Sequence, residues 1–313
     1  MSGPTGGDGV ALGADGPHTL GRWLTDRAAS APDHTAIDDR GVRIGYADLD
    51  DRARELGLSL RRAGYGPGDR IATISGNSID HVVAFFACAK TGIAFVPLSW
   101  RLSSRELSEV LTQSSPALVL VEDEYIGVAT EVLRRVATPP TMALLGTTGI
   151  EAGVPPRPGA PTPARGVRDD DPLLVIYTSG SESAPKGVVL THANCFWNNL
   201  ALAGAAQLTG DDVVLSMLPQ FHVAAWNCQP LLAWWVGATV VLERSFQPQR
   251  ILQLLVDRRV TAMMGVPTQY RLLADDPAFA DVASGMLRQA LVGGATTPPE
   301  LAARWAAAGI PLT

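Results

Sequence analysis

Short apolar runs alternate with helix-length runs along almost the whole chain, and this alternation limits the fold more than any other feature. Residues 36–37, 42–44, 70–75, 93–96 and 117–121 read as strands. Between and around them, residues 20–31, 46–63, 78–90, 103–112 and 124–136 read as helices, the second with an apolar face of Leu49, Ala53, Leu56, Leu58 and Leu60. The order resumes later, with strands at 213–216, 239–242, 262–265 and 289–292 and helices at 193–206, 223–235, 247–257, 268–274 and 298–308. Such an order predicts an α/β fold of two mostly parallel β-sheet halves flanked by helices, with right-handed crossovers. The expected division is a Gly-rich, disordered stretch over 1–17, a first α/β subdomain over 18–152, a Pro-rich exposed connector over 153–172 and a second α/β subdomain over 173–313. The acidic run Asp169–Asp171 at the end of the connector reads as a solvated turn rather than a metal site.

Net charge is −6 and no basic run stands out, which argues against nucleic acid as the main partner. An anionic ligand must then be captured by local groups. Cys88, Cys195 and Cys228 are far apart, without metal-ligand spacing, and read as reduced thiols of an intracellular, cytoplasmic protein. The N-terminus lacks the pattern of a signal peptide. Residues 213–242 contain no Asp, Glu, Lys or Arg, but prolines, Gly237, Gln220, His222 and Asn227 interrupt them. They read as core plus an apolar pocket rather than a membrane span.

The most informative stretch is Tyr177–Gly187, reading Tyr-Thr-Ser-Gly-Ser-Glu-Ser-Ala-Pro-Lys-Gly between the apolar runs 173–176 and 188–190. It predicts strand, loop, strand. The loop offers hydroxyls at Thr178, Ser179, Ser181 and Ser183, a flexible Gly180 and the positive charge of Lys186. Clustered N–H groups, hydroxyls and a lysine suit a polyphosphate, whose charge many donors must meet at once. A Walker loop would carry Gly before the Lys and Ser or Thr after it; here Pro185 precedes Lys186 and Gly187 follows.

The stretch resembles the T-S-G-[ST]-T-G-x-P-K-G signature of the AMP-forming acyl-adenylate superfamily of synthetases and ligases, with acyl-CoA synthetases for fatty and medium-chain acids as the nearest pattern. Thr178, Ser179, Gly180, Ser181, Pro185, Lys186 and Gly187 match, while Glu182 stands for Thr and Ser183 for Gly. Phe221-His222 resembles the family's Pro-x-Phe-His segment, Gly265-Val266-Pro267-Thr268 its G-V-P-[TS] turn, and Val292-Gly293-Gly294-Ala295 its S-G-G-A segment. The resemblance runs from about Thr19 to Thr313 and implies the incomplete N-terminal large domain of such an enzyme. It implies ATP, Mg²⁺ and CoA. Lys186 and His222 would be catalytic, and Thr178 a metal contact. Residues Thr178, Ser179, Gly180, Ser181, Glu182, Ser183, Lys186, Gly293, Gly294 and Ala295 would hold the nucleotide. His222, Val223, Trp226, Asn227 and Gly265–Thr268 would form the acyl pocket.

The family's Y-G-x-T-E motif, its ribose-binding Asp and its C-terminal lysine have no counterpart up to Thr313. Two expectations stand side by side. One is an acyl-CoA synthetase acting on an aliphatic acid, with aryl-CoA ligases and ligases that stop at acyl-AMP as variants. The absence of Asp over 213–242 lowers the amino-acid-activating reading. The other is a catalytically silent nucleotide-binding module. His18, His34, His81 and His192 have no partner assignable from sequence.

Overall fold

The protein is described from a computed structural model, over residues 16–146, 153–178, 185–283 and 285–313. The expectation of disorder over 1–17 falls almost wholly outside these residues.

The described strands form two six-stranded sheets. The first runs in the order β6 (Thr141–Leu144), β5 (Leu118–Val121), β3 (Arg70–Ile74), β4 (Ala94–Leu98), β7 (Pro172–Thr178), β8 (Lys186–Thr191). The second runs β12 (Gln289–Val292), β11 (Ala262–Gly265), β9 (Val213–Ser216), β10 (Thr239–Leu242), β1 (Thr35–Asp39), β2 (Val42–Gly45). In each sheet five strands are parallel and one edge strand, β8 or β2, returns antiparallel through a hairpin. The α/β class with mostly parallel sheets is therefore as expected.

The division at the connector is not. The hairpin β1–β2 belongs to the second sheet, where Ile37, Asp38 and Asp39 pair with Val240, Val241 and Leu242. Strands β7 and β8 belong to the first sheet, beside β4. Each half of the chain thus lends a hairpin to one sheet edge. Periodicity reveals that a strand exists, but pairing partners depend on which faces are covered after collapse.

Three apolar layers explain the order. Side chains alternate along each strand, so each sheet feeds two layers. Leu118 and Leu120 enter the layer between the sheets, Val119 and Val121 the outer one. In the second sheet Val240 and Leu242 enter the shared layer and Val241 the opposite outer one. Helix Ile79–Thr91 lies within the shared layer and is buried all round except at Asp80, as a helix apolar on every side must be. Ser78 caps its N-terminus and Gly92, at φ +71°, ends it. Lys90, also buried, is met by Asp50 at 2.6 Å and by Thr25 Oγ1 at 2.6 Å.

Several local expectations change. The helix expected over 223–235 splits at Cys228 into Ala224–Asn227 and Gln229–Val236, because Pro230 is tolerated in a first turn but not inside a helix. Residues 124–136 form a 3₁₀ turn and the shorter helix Ile126–Leu133. Strand β6 was not anticipated; it is a half-buried edge strand with a weak pattern. Among the described residues no helix is long and apolar enough to cross a membrane.

The connector lies along the turn after helix Tyr46–Arg62, where Arg157 N and Thr162 N donate to the Ala63 and Gly64 carbonyls. Asp69 holds it through Arg157 at 2.9 Å and Thr162 Oγ1 at 2.7 Å. Asp171 corrects the solvated-turn reading: it is buried and accepts two hydrogen bonds of 2.7 Å from Arg165. Asp169 meets His18 Nδ1 at 2.7 Å.

The carboxyl ends of the parallel strands of both sheets meet along one junction. Glu122, just past β5, accepts from Ser75 Oγ at 3.0 Å and Gly76 N at 2.9 Å. Arg244, just past β10, crosses to Glu122 and to Glu124, the latter at 2.7 Å. Its guanidinium lies on Gly76, where a Cβ would fall 2.8 Å from Cζ. Burial opposes the Glu122 charge, but Arg244 and the Gly76 N–H hold its carboxyl below the usual range. Replacing Arg244 by Met leaves Glu122 without its counter-charge. The expected loss is about 1–3 kcal/mol, read from urea midpoints; a double-mutant cycle with Glu122→Gln should show that the two losses are not additive.

Burial lowers the pKa of His81 and of His192 to about 4. The unfolded chain protonates both near 6.5, so stability present above that pH is lost as pH falls toward 4. Each histidine should contribute a slope of about 1.4 kcal/mol per pH unit between these values. Denaturant midpoints at pH 7, 6 and 5 should fall steadily, and His192→Gln should flatten the slope by about one proton.

Candidate active site

Strands β7 and β8 bring the two ends of the hydroxyl-rich loop together. Tyr177 pairs with Gly187 and Thr178 with Lys186; residues directly opposite in an antiparallel pair lie about 4.5–5.5 Å apart. Gly187 leaves room for the Tyr177 ring, since a Cβ there would sit 3.0 Å from the ring carbon Cζ. Thr178 and Lys186 are both exposed. Ser179, Gly180, Ser181, Glu182 and Ser183 lie outside the described residues.

A cavity of about 370 Å³ opens beside this hairpin. Tyr177, Thr178 and Pro185 form one wall, Phe221 and His222 another. The third wall runs from Pro97-Leu98-Ser99 past β4 to Leu102, Glu106 and Val110 on helix Ser104–Ser114. Sequence reasoning assigned no function to this third wall. The available signal was its place past the carboxyl end of a parallel strand, where α/β folds place ligands. The two acids on the wall are already engaged: Glu106 forms a capping box with Ser103, and Glu109 pairs with Arg105 at 3.2 Å.

His222 is exposed at the cavity edge, with its ring 4.6 Å from that of Phe221. Partial desolvation, then the Arg101 charge, lowers its pKa, so it is a neutral proton acceptor at neutral pH. Arg101 lies over the rings of Trp100 and Phe221, 4.9 and 5.8 Å from their centroids.

The other expected site residues separate into different places. Trp226 does not line the cavity. It is 0% exposed, stacks on Phe85 with centroids 4.5 Å apart, and donates from Nε1 to the Gln220 carbonyl at 2.6 Å. Its sealed position is a packing role, and the sequence could not separate that from a pocket aromatic. Val223 is exposed just past His222, outside the cavity lining. The Asn227 carbonyl accepts from Asn198 Nδ2, while its own Oδ1 is buried without a partner. Gly265 ends β11, Val266 follows it and Pro267 and Thr268 open helix Pro267–Asp275, next to Gly293 and Gly294 past β12. Gly293 N donates to the Gly265 carbonyl at 3.2 Å. Gly294 takes φ +81°, and a Cβ there would lie 3.4 Å from Val266 Cγ1. Ala295 follows, exposed. These two turns form a second cluster on the carboxyl edge of the second sheet, apart from the cavity lining.

No group of three or more His, Cys, Asp or Glu among the described residues has metal-binding geometry. Thr178 offers a single hydroxyl, so a divalent ion there would have to arrive on a polyphosphate that supplies the remaining oxygens.

The feruloyl-CoA synthase of an Amycolatopsis species is 34% identical over 293 residues, covering 93% of this chain and 57% of that protein. The long-chain-fatty-acid–CoA ligase of Thermus thermophilus is 31% identical over 273 residues, covering 86% and 50%. Among solved structures, the N-terminal domain of FACL13 from Mycobacterium tuberculosis superimposes with a TM-score of 0.79 at 28% identity, covering 94% of this chain and 74% of that one. ATP-bound MatB from Rhodopseudomonas palustris gives 0.79 at 27%, covering 93% and 57%. The chain spans about half the length of the curated relatives it matches. The family model described as AMP-binding enzyme matches residues 24–313, and the chain belongs to that family.

Proposed function

We propose that this chain supplies the nucleotide-binding and acid-binding half of an ATP-dependent ligase that activates a carboxylic acid to acyl-AMP and transfers the acyl group to CoA. The observation that carries this reading is the pairing of Thr178 with Lys186 on a hairpin beside a cavity edged by His222. In the first step a carboxylate oxygen attacks the α-phosphorus of Mg·ATP, forming the acyl–phosphate bond while pyrophosphate leaves. In the second the CoA sulfur attacks the acyl carbonyl and AMP departs.

The chain's own task is positioning and charge neutralisation. Lys186 meets phosphate oxygens as a point charge, and the Thr178 hydroxyl contacts the phosphates or their magnesium. The loop hydroxyls expected at Ser179, Ser181 and Ser183 would add donors. Neutral His222 would face the reacting carboxylate without adding another charge. The turns at Gly265–Thr268 and Gly293–Ala295 would let the nucleotide or acyl group approach the backbone closely.

Named relatives act on different acids, among them feruloyl, indoleacetate and long-chain fatty acid substrates. The cavity lining of Pro97, Leu98, Leu102, Val110 and Phe221 favours an apolar acid, aliphatic or aryl. With Trp226 in the core, the particular support for an aliphatic chain is reduced to that lining. Free thiols at Cys88, Cys195 and Cys228 fit a reducing compartment such as the cytoplasm.

The test is ATP–pyrophosphate exchange by the full-length protein with straight-chain, hydroxycinnamic, indoleacetic and amino acids. Exchange driven by an apolar acid is expected; preference for amino acids would sink the substrate reading, and no acid-dependent exchange would sink the ligase reading. Lys186→Ala should slow exchange or raise the ATP KM by about 10- to 100-fold, the loss of one charged hydrogen bond of about 1–3 kcal/mol. An unaltered rate and KM would mean that the hairpin does not hold phosphate.

A further inference from the structure

His222 stands in a short turn, its N–H donating to the Pro219 carbonyl at 2.9 Å. Its carbonyl accepts from the Ala225 N–H at 3.1 Å, and the buried polar side chain of the turn is Gln220. Gln220 is 2% exposed; its N–H, carbonyl and Oε1 each have a partner, while its Nε2 is buried without one among the described residues. Its N–H donates to Asn77 Oδ1 at 2.9 Å, its carbonyl accepts from Trp226 Nε1, and its Oε1 accepts from His81 Nδ1 at 2.9 Å. The Thr73 hydroxyl, 2.7 Å from His81 Nε2, donates to that nitrogen and sets the tautomer. Asn77 Nδ2 also donates to the carbonyls of Leu218, at 2.9 Å, and Glu243, at 3.0 Å.

These groups come from opposite sides of the junction. Thr73 lies on β3, Asn77 in the turn after it, and His81 in the first turn of helix Ile79–Thr91. Gln220, Leu218 and Glu243 follow strands of the second sheet. The His81 ring is fixed between Phe95, at 5.2 Å, and Trp226, at 5.7 Å. Thr73, Asn77, His81 and Gln220 are all nearly sealed from water, where each hydrogen bond made is stronger than in water and cutting one strands a further polar group.

We propose that Asn77 and His81 are positioning residues that act through Gln220 to hold His222 at the cavity edge, so that the first sheet places a residue carried by the second. The role in turnover rests on the ligase reading above; the placement of His222 does not.

The test uses the full-length protein and two variants, His81→Phe, which keeps ring volume, and Gln220→Met, which cuts the same bond from the other end. Each is first shown to be folded by its melting transition. Ring resonances of His222, assigned by its own substitution, should shift and broaden in both variants. Exchange turnover should fall on the order of 10- to 100-fold, as small misplacement of reacting groups does, with the ATP KM within about twofold of wild type. His81→Asn, which restores a donor to Gln220, should recover much of the rate. Should His81→Phe fail to fold, Gln220→Met decides. Unchanged His222 resonances in a folded variant, or undiminished turnover, would overturn the proposal. If the wild-type protein shows no exchange, the ligase reading fails and the His222 resonances alone decide this one.

Discussion

Both sheets depend on one shared apolar layer. Helix Ile79–Thr91 is buried nearly all round within it, and each sheet gives it one face. A helix so placed has almost no solvent face, so neither sheet keeps this surface dry without the other. The arrangement aligns the carboxyl edges of the two sheets along one junction. The four residues Ser75–Ser78 fill that junction: Ser75 and Gly76 hold Glu122, Gly76 lies under Arg244, Asn77 ties the loops after β9 and β10, and Ser78 caps the helix. Gly76 is required there because any Cβ would displace the guanidinium.

A chain with net charge −6 would hold the proposed anion through local groups. The positive groups are local and held differently. Lys186 stands opposite Thr178 on a hairpin, and Arg101 lies over two aromatic faces. The nearby acids are consumed elsewhere, Glu106 in a helix cap, Glu109 by Arg105 and Glu122 by Arg244. Glu109 and Glu122 face counter-charges, whereas Glu106 keeps its own charge and is only held in place by the cap, so the cations act at short range, where the field of the whole molecule matters less.

Much of this was legible in the chain itself. The apolar runs located most of the strands, and the Gly/Ser-rich stretch located the hairpin whose ends meet at Thr178 and Lys186. His222 was singled out by the resemblance of Phe221-His222 to the family's Pro-x-Phe-His segment and does edge the cavity. Trp226 came from the same uncharged stretch and lies sealed against Phe85 instead. A pattern of residue types does not say which side of a turn faces a cavity. Likewise Asp171 looked like part of a solvated acidic run, and only the approach of Arg165 makes its burial affordable.

Local chemistry, then, determined the α/β class, the loop between β7 and β8, and the kind of ligand that loop suits, because strand and helix periodicity and turn composition are properties of neighbouring residues. Tertiary structure alone decided that β1–β2 and β7–β8 each sit with the sheet of the other half, that the Pro97–Val110 wall closes the cavity, and that Asn77 and His81 hold Gln220 from across the junction. His81 and Gln220 are 139 positions apart in the chain. Their contact follows from packing two sheets on one helix layer, and nothing in the sequence near either residue records it.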